Sequence, residues 1–356
     1  MRVGLSLLTL VPGEVGGAET AARGLARGLA EVGTLAYTAL VPPAAPGAGE
    51  GLPEVLVTEY RRARTIPQRA FAMALAAARP GPLRRRYADV DLVHYPLTIA
   101  VPPLELPAVV TVHDLQHLEL PHLFSRSERL FRRRAHEGSA RRATAVVVPS
   151  QFVRRSVIER LGLPPERVHA IPWGVDHERF SPGPEEREGF LLYPGRPWGH
   201  KNHERLFQAL ALLRQERPEL ELVLTGGGHE GRPVPDGVRV AGLVSAGELV
   251  SLYRRAACLV FPSLYEGFGQ PPLEAMACGC TVACSNAAAL PEAVGDAAAL
   301  FDPEEPEDIA AVVAAVLESP ERLVTAGYER ARRFTWAETA RRHEDVYRSV
   351  GARAAK

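Results

Sequence analysis

Residues 257–279 read ACLVFPSLYEGFGQPPLEAMACG. A short apolar run, ACLVF, leads into a glycine-rich loop and then an Ala/Leu stretch opened by Pro271 and Pro272. Proline is tolerated in the first turn of a helix, so the stretch reads as strand, loop and helix. It holds two carboxylates, Glu266 in the loop and Glu274 eight positions on, inside the helix. Between them lie the free N–H groups of a helix start, a place that favours an anion. Carboxylates at both ends of a phosphate site suit a ligand with hydroxyls at both ends, and a sugar nucleotide is such a ligand.

The same rhythm runs outward in both directions. Apolar, β-branched runs at 3–10, 35–41, 91–95, 108–113 and 145–149 alternate with helix-like Ala/Leu/Arg stretches. The alternation restarts at 190–194, 220–225, 238–241, 257–261 and 281–284. Strand–helix alternation argues for parallel sheets covered on both faces. Two series predict an α/β chain of two Rossmann-like parallel-sheet domains facing a central cleft. The expected division is 1–173, a linker over 174–189 (rich in Gly, Pro and charge), 190–334, and a final helix over 335–356 packing back on the first domain. A length of 356 residues suits about two domains.

Ligands of open parallel sheets bind beyond the carboxyl ends of the strands. The unusual residues sit in such loops. GRPWGHKN (195–202) puts Arg196 and Lys201 five residues apart across a Pro/Gly bend. The chain has two lysines, Lys201 and Lys356, against 40 arginines, so an internal Lys points to a compact point charge. Two surface cations remain the plainer alternative. VPGEVGGAE (11–19) brings Gly16 and Gly17 to a helix start, either to admit an anion or merely to turn the chain. TGGG (225–228) carries the same two readings.

Together these strings resemble the retaining glycosyltransferases of family 4, also called glycosyl transferases group 1, whose fold is GT-B. The resemblance rests on Glu266 and Glu274 with seven residues between them, GRPWGHKN, GG at 16–17, HD at 113–114, VVVPS at 146–150, IPWGVD in the linker and TGGG. HDLQHLELPHLFS (113–125) looks most like the mannosyltransferase-like branch. The resemblance implies that Arg196 and Lys201 neutralise a donor diphosphate and that Glu266 binds or polarises the transferred sugar. It also implies that backbone N–H groups of Gly267, Phe268 and Gly269 bind the sugar hydroxyls, and that Glu274 holds the ribose. Gly16 and Gly17 approach the phosphate, His113 stands beside the reacting sugar, and Gly242 and Leu243 lie near the base. The expected activity is retaining transfer of a hexose to a hydroxyl acceptor (a glycan, a lipid-linked or a small molecule), without metal or other cofactor. GDP-mannose is expected ahead of UDP-glucose as donor. A sugar-nucleotide epimerase or an inactive sugar-nucleotide-binding protein on the same fold is the alternative. Thr281 departs from the proline usual in the family.

The balance of 42 basic and 42 acidic residues argues against a whole-chain grip on nucleic acid. It hides an asymmetry: residues 1–180 carry a net +6, residues 181–356 a net −6. Arginines are dense at 61–86 and 126–142, either as solvated helix faces or as a surface for anionic lipid or a phosphorylated acceptor. The expected location is cytoplasmic, with peripheral contact at the inner face of a membrane. The start, MRVGLSLLTLV, imitates a signal peptide, but a buried first strand running into a glycine loop fits it better. Asp89-Val90-Asp91 spells a D-x-D string, read here as the opening of a strand. Cys258, Cys278, Cys280 and Cys284 lack paired zinc spacing and are expected in the core.

Overall fold

A computed structural model describes residues 1–229 and 231–354. The chain forms two compact units, Met1–Gly174 with the final helix Trp336–Ala354, and Val175–Thr335. The first unit holds seven parallel strands: β1 (Arg2–Ser6), β2 (Ala36–Val41), β3 (Glu54–Leu56), β4 (Leu92–Tyr95), β5 (Ala108–Thr111), β6 (Ala145–Val148) and β7 (Val168–Ala170). Their order across the sheet is β3-β2-β1-β4-β5-β6-β7. The second unit has six parallel strands: β8 (Phe190–Pro194), β9 (Glu221–Thr225), β10 (Val238–Gly242), β11 (Cys258–Phe261), β12 (Thr281–Ser285) and β13 (Ala299–Phe301). They run β10-β9-β8-β11-β12-β13. Both are doubly wound sheets. The strand order reverses between β1 and β4 in one and between β8 and β11 in the other, and loops after these strands frame each sheet's crevice.

Central strands such as β4, β6, β11 and β12 are buried along their whole length, because helices cover both faces. Three strands have no counterpart in the sequence reading: β3, β7 and β13. Each is three residues long and lies at a sheet edge, too short for a periodic signal. The first strand, expected over 3–10, ends at Ser6. Leu7, Leu8 and Leu10 stay buried but in a turn, where the Leu10 N–H donates to the Leu7 carbonyl.

The helix Gly17–Val32 starts on Gly16 at φ +56° and packs with the final helix. Gly24 and Gly28 make this approach possible: a Cβ on Gly24 would stand 2.2 Å from the Trp336 ring, and one on Gly28 2.5 Å from the Trp336 carbonyl oxygen. Farther along, the buried Tyr347 hydroxyl meets His94 Nδ1 at 2.7 Å, tying the last helix to β4.

The stretch 174–189, expected as a linker, is built into the second unit from Val175 on. Arg254 donates to the Ser181 carbonyl at 2.8 Å and pairs with Glu185, and Arg255 pairs with Glu188 at 2.6 Å. The Arg187 guanidinium donates to the carbonyls of Tyr253, Ala256 and Gly279. The charges that suggested a solvated tether instead satisfy the end of the helix Ala246–Arg255. Val175, which enters this unit, and Thr335, which leaves it, pair in a parallel bridge.

Candidate functional site

In the second unit the loop after β8 and the loop after β11 meet. The Leu264 N–H donates to the His200 carbonyl at 2.8 Å, and the Tyr193 hydroxyl donates to the Lys201 carbonyl at 2.8 Å. Asn202, at φ +58°, caps the bend, and its side-chain amide donates to the carbonyls of Pro262 and Pro303 at 3.1 and 2.6 Å. This scaffold brings Lys201 Nζ to 2.6 Å from Glu266 Oε1, with side chains only 13% and 18% exposed. Lys201 also stands 5.1 Å from the Phe261 ring centroid. A charge pair this dry is costly unless each partner satisfies the other. Sixty-five residues apart in sequence, the two form the charged centre of the unit. The Arg196 guanidinium lies 5.7 Å from the Trp198 ring centroid.

Gly269, at φ +145°, precedes the helix Gln270–Ala277, and its N–H groups begin beside Gly267 and Phe268. Glu274 lies inside that helix and is buried. Burial pushes its carboxyl up to about 7, against hydrogen bonds from Gln270 and Tyr253 that favour the ion. The Tyr253 hydroxyl donates to Glu274 Oε2 at 3.3 Å. Gly242 ends β10 at φ +67°, and Leu243 beside it is 80% exposed.

In the first unit, Gly16 and Gly17 open the helix after β1. A Cβ on Gly17 would meet only Trp173, at 3.9 Å, so the space over this turn is open. His113 follows β5. Its Nε2 lies 2.8 Å from the Pro96 carbonyl, which can only accept, so Nε2 carries the proton. Nδ1 is then a lone-pair acceptor, buried and without a partner. Burial pushes the His113 pKa down, despite the nearby Asp114, so the ring is neutral. Trp173 packs on it at 5.4 Å, and both line a small cavity with Thr111, Trp336 and His343.

Residues 175–334 match the family described as glycosyl transferases group 1, and residues 15–179 match glycosyltransferase family 4. The chain is 32% identical over 254 residues to the O-antigen chain mannosyltransferase B of Escherichia coli, covering 64% of this chain and 67% of that one. This chain belongs to glycosyltransferase family 4. It is also 33% identical over 236 residues to the MMP alpha-(1->4)-mannosyltransferase of Mycolicibacterium hassiacum, covering 61% and 56% of the two chains. The matches span between about half and two thirds of these relatives' own lengths. Among solved structures, the sucrose-phosphate synthase of Thermosynechococcus elongatus shares the fold with a TM-score of 0.78, at 20% identity over 99% of both chains. The chain is therefore a glycosyltransferase of two Rossmann-like domains, the GT-B architecture.

Within this family-4 chain, the TGGG loop has a packing role. Gly226, at φ +112°, leaves room for a Cβ only 3.2–3.3 Å from the backbone of Gly195 and Arg196. His229, buried, lies with Nε2 2.7 Å from the Gly195 carbonyl, and the Gly195 N–H donates to Thr225 at 2.9 Å. His229 and Asn202 thus shape the Arg196–Lys201 loop, and neither was singled out in the sequence. Their types, a histidine after three glycines and an Asn before a helix, were the available signal. Thr281, in place of the usual proline, donates its hydroxyl to the Ala257 carbonyl at 2.7 Å.

Asp89 and Asp91 serve the start of β1. Asp91 accepts from the Arg2 backbone N–H at 2.7 Å, and Asp89 lies 3.9 Å from the Arg2 guanidinium. The four cysteines are buried, and burial pushes the Cys280 thiol up to about 11. Among the described residues no cluster of His, Cys, Asp and Glu is placed to hold a metal ion. No helix among them is long and apolar enough to cross a membrane.

Proposed function

We propose that the protein transfers a hexose, with retention of anomeric configuration, from a nucleoside-diphosphate sugar to a hydroxyl acceptor. The observation that carries this reading is the Lys201–Glu266 pair at 2.6 Å, set at the strand-order reversal of the second sheet beside a helix start. An incoming diphosphate competes with Glu266 for Lys201. Arg196, Lys201 and the start of the helix Gln270–Ala277 then neutralise the leaving diphosphate, and no metal ion is required. Once parted from Lys201, Glu266 faces the sugar together with the N–H groups of Gly267, Phe268 and Gly269. Glu274 accepts from the ribose, and the exposed Leu243 beside Gly242 offers the base an apolar plate.

In the first unit, Gly16 and Gly17 leave a helix start open to an anion. His113 offers Nδ1 to a sugar hydroxyl and remains a neutral acceptor. The acceptor hydroxyl attacks the face that the diphosphate leaves, and its proton passes to the departing phosphate oxygen. The new C–O bond forms where the old one breaks, which retains the configuration.

The mannosyltransferase names of the two curated relatives, with HDLQH, favour mannose carried by GDP, and glucose carried by UDP comes second. Arginines and exposed side chains such as Phe71, Leu130 and Phe131 further support peripheral contact with an anionic membrane. A thermal-shift series with GDP, UDP and the free nucleosides tests the donor site. A ligand at 100 times its Kd stabilises by about 2.7 kcal/mol. Mass-spectrometric detection of transfer from GDP-mannose or UDP-glucose in excess EDTA tests the reaction. Activity lost in EDTA and restored by Mn²⁺ would overturn metal independence. Sedimentation with anionic vesicles at low salt, fading near physiological salt, is the membrane test.

A further inference from the structure

One side chain that touches neither donor nor acceptor in the proposed reaction is joined to one that does. The helices Ala246–Arg255 and Gln270–Ala277 pack together in the second unit. Tyr253, on the first of them, is fully buried, and its hydroxyl donates to Glu274 Oε2 at 3.3 Å. The rest of Tyr253 is fixed without that bond. Its ring stands edge-on to Phe180 with 6.0 Å between centroids, and its carbonyl accepts from Arg187 at 3.2 Å. A phenylalanine would fill the same space, so packing alone does not call for the hydroxyl.

The surroundings of Glu274 explain what a hydroxyl does there. Burial disfavours the ion, while Gln270 and Tyr253, both neutral donors, favour it ahead of Arg179, whose effect Asp176 opposes. Arg179 and Asp176 lie 3.9 Å apart in the segment before β8, so their charges largely cancel at a distance. Cys278, one turn on in the same helix, and Cys280, at the start of β12, are thiols that burial pushes up to about 12 and about 11, so both are neutral. The helix Glu321–Ala331 meets this helix through Gly327 against Met276, an apolar contact. The carboxylate is thus held by directional bonds more than by a cation. A hydrogen bond has a preferred angle as well as a preferred length, so it fixes the plane of the group that accepts it.

We propose that Tyr253 is a positioning residue: its hydroxyl holds Glu274 Oε2 and leaves Oε1 to accept from a ribose hydroxyl of the donor. The inference rests on the reading of Glu274 as the ribose acceptor and adds what makes that acceptor selective. A carboxylate set in one plane rewards a ligand hydroxyl at one place and is left short when the hydroxyl is missing. Tyr253 also shares in the pH response of the site. Without its hydroxyl the ion loses a donor, and Glu274 keeps its proton to higher pH.

The test uses the full chain with Tyr253→Phe, Glu274→Gln and the double variant. GDP and UDP are titrated by calorimetry beside their 2′-deoxy and 3′-deoxy counterparts, across the pH range on both sides of neutrality, and each variant is melted. Tyr253→Phe should weaken the ribonucleotide about three- to tenfold, change the matching deoxynucleotide little, and move the midpoint of the pH dependence upward by up to about one unit. The double variant should bind as Glu274→Gln alone, because Tyr253 acts through that carboxyl. A Tyr253→Phe variant that keeps the wild-type midpoint and the wild-type ratio of ribo- to deoxynucleotide binding overturns the inference, and an early melt in that variant would make the bond structural. A double variant weaker than Glu274→Gln by the full Tyr253→Phe factor overturns it too. Where Glu274→Gln lowers the ratio and Tyr253→Phe does not, the ribose reading stands and this inference alone falls. Where Glu274→Gln itself leaves the ratio unchanged, the ribose reading falls and takes this inference with it.

Discussion

The two sheets have the same architecture, yet their site loops are finished differently. In the second unit the loops after β8 and β11 are stitched together, and the central charge, Lys201, already has its partner in Glu266. In the first unit, His113 Nδ1 and Gln116 Nε2, both following β5, are buried without partners. One site has its central charge satisfied without ligand and must exchange that partner when ligand comes. The other keeps buried polar atoms unpaired. A satisfied pair tolerates a shared ligand class, whereas unmade bonds discriminate by penalising every molecule that fails to fill them.

The largest effect expected from this contrast falls on Glu266. If its pairing with Lys201 is a resting arrangement for catalysis, Glu266→Gln lowers kcat by about 10²–10³, the scale of a lost transition-state stabiliser. Steady-state kinetics beside a melting curve decide it: a large fall in Tm with kcat unchanged would make the pair structural. Lys201→Ala in the same series should weaken nucleoside diphosphate far more than free nucleoside, as calorimetry would read.

The first unit offers a control for packing. Gly24→Ala pushes a methyl into the Trp336 ring at 2.2 Å and should cost about 1–3 kcal/mol, a drop of several degrees in the first unit's Tm. Gly17→Ala meets nothing nearer than Trp173 at 3.9 Å and should leave Tm alone while raising the donor KM. A Gly17→Ala variant that melts early, with an unchanged KM, would turn that open space into ordinary packing.

A smaller effect sharpens the second unit. The Glu274 carboxyl titrates at about 7 because burial raises it above the ordinary carboxylate value. Its proton is therefore off above that pH and on below it, and the ribose loses an ionised acceptor as pH falls. The donor KM should climb toward about tenfold per pH unit below 7 while kcat changes little, and Glu274→Gln should raise KM and flatten the profile. The unliganded fold responds with the opposite sign: it binds this proton more tightly than the unfolded chain and loses stability as pH rises from the ordinary carboxylate range to about 7. A wild-type KM that is flat between pH 6 and 8 would remove Glu274 from the ribose.

Much of the second unit's site is written locally. Pro271 and Pro272 announce a helix start, the glycines of 267–269 announce the turn before it, and Glu266 and Glu274 are set by that turn and helix. The apolar runs that became β8 and β11 are long enough to stand out. The three-residue edge strands are not, and neither is the pairing of Arg254 and Arg255 with residues 185–188 that absorbs the expected linker.

The double crossing of the chain, out of the first unit after Gly174 and back at Trp336, has a consequence for synthesis. On the ribosome the second unit has all its residues once Thr335 emerges. The first unit, begun earlier, must wait for Trp336 to reach the groove at Gly24 and Gly28 and for Tyr347 to reach His94. The half made first is finished last. Throughout the making of the other half, it carries an open apolar seam along the helix Gly17–Val32, the surface on which a nascent-chain chaperone would act.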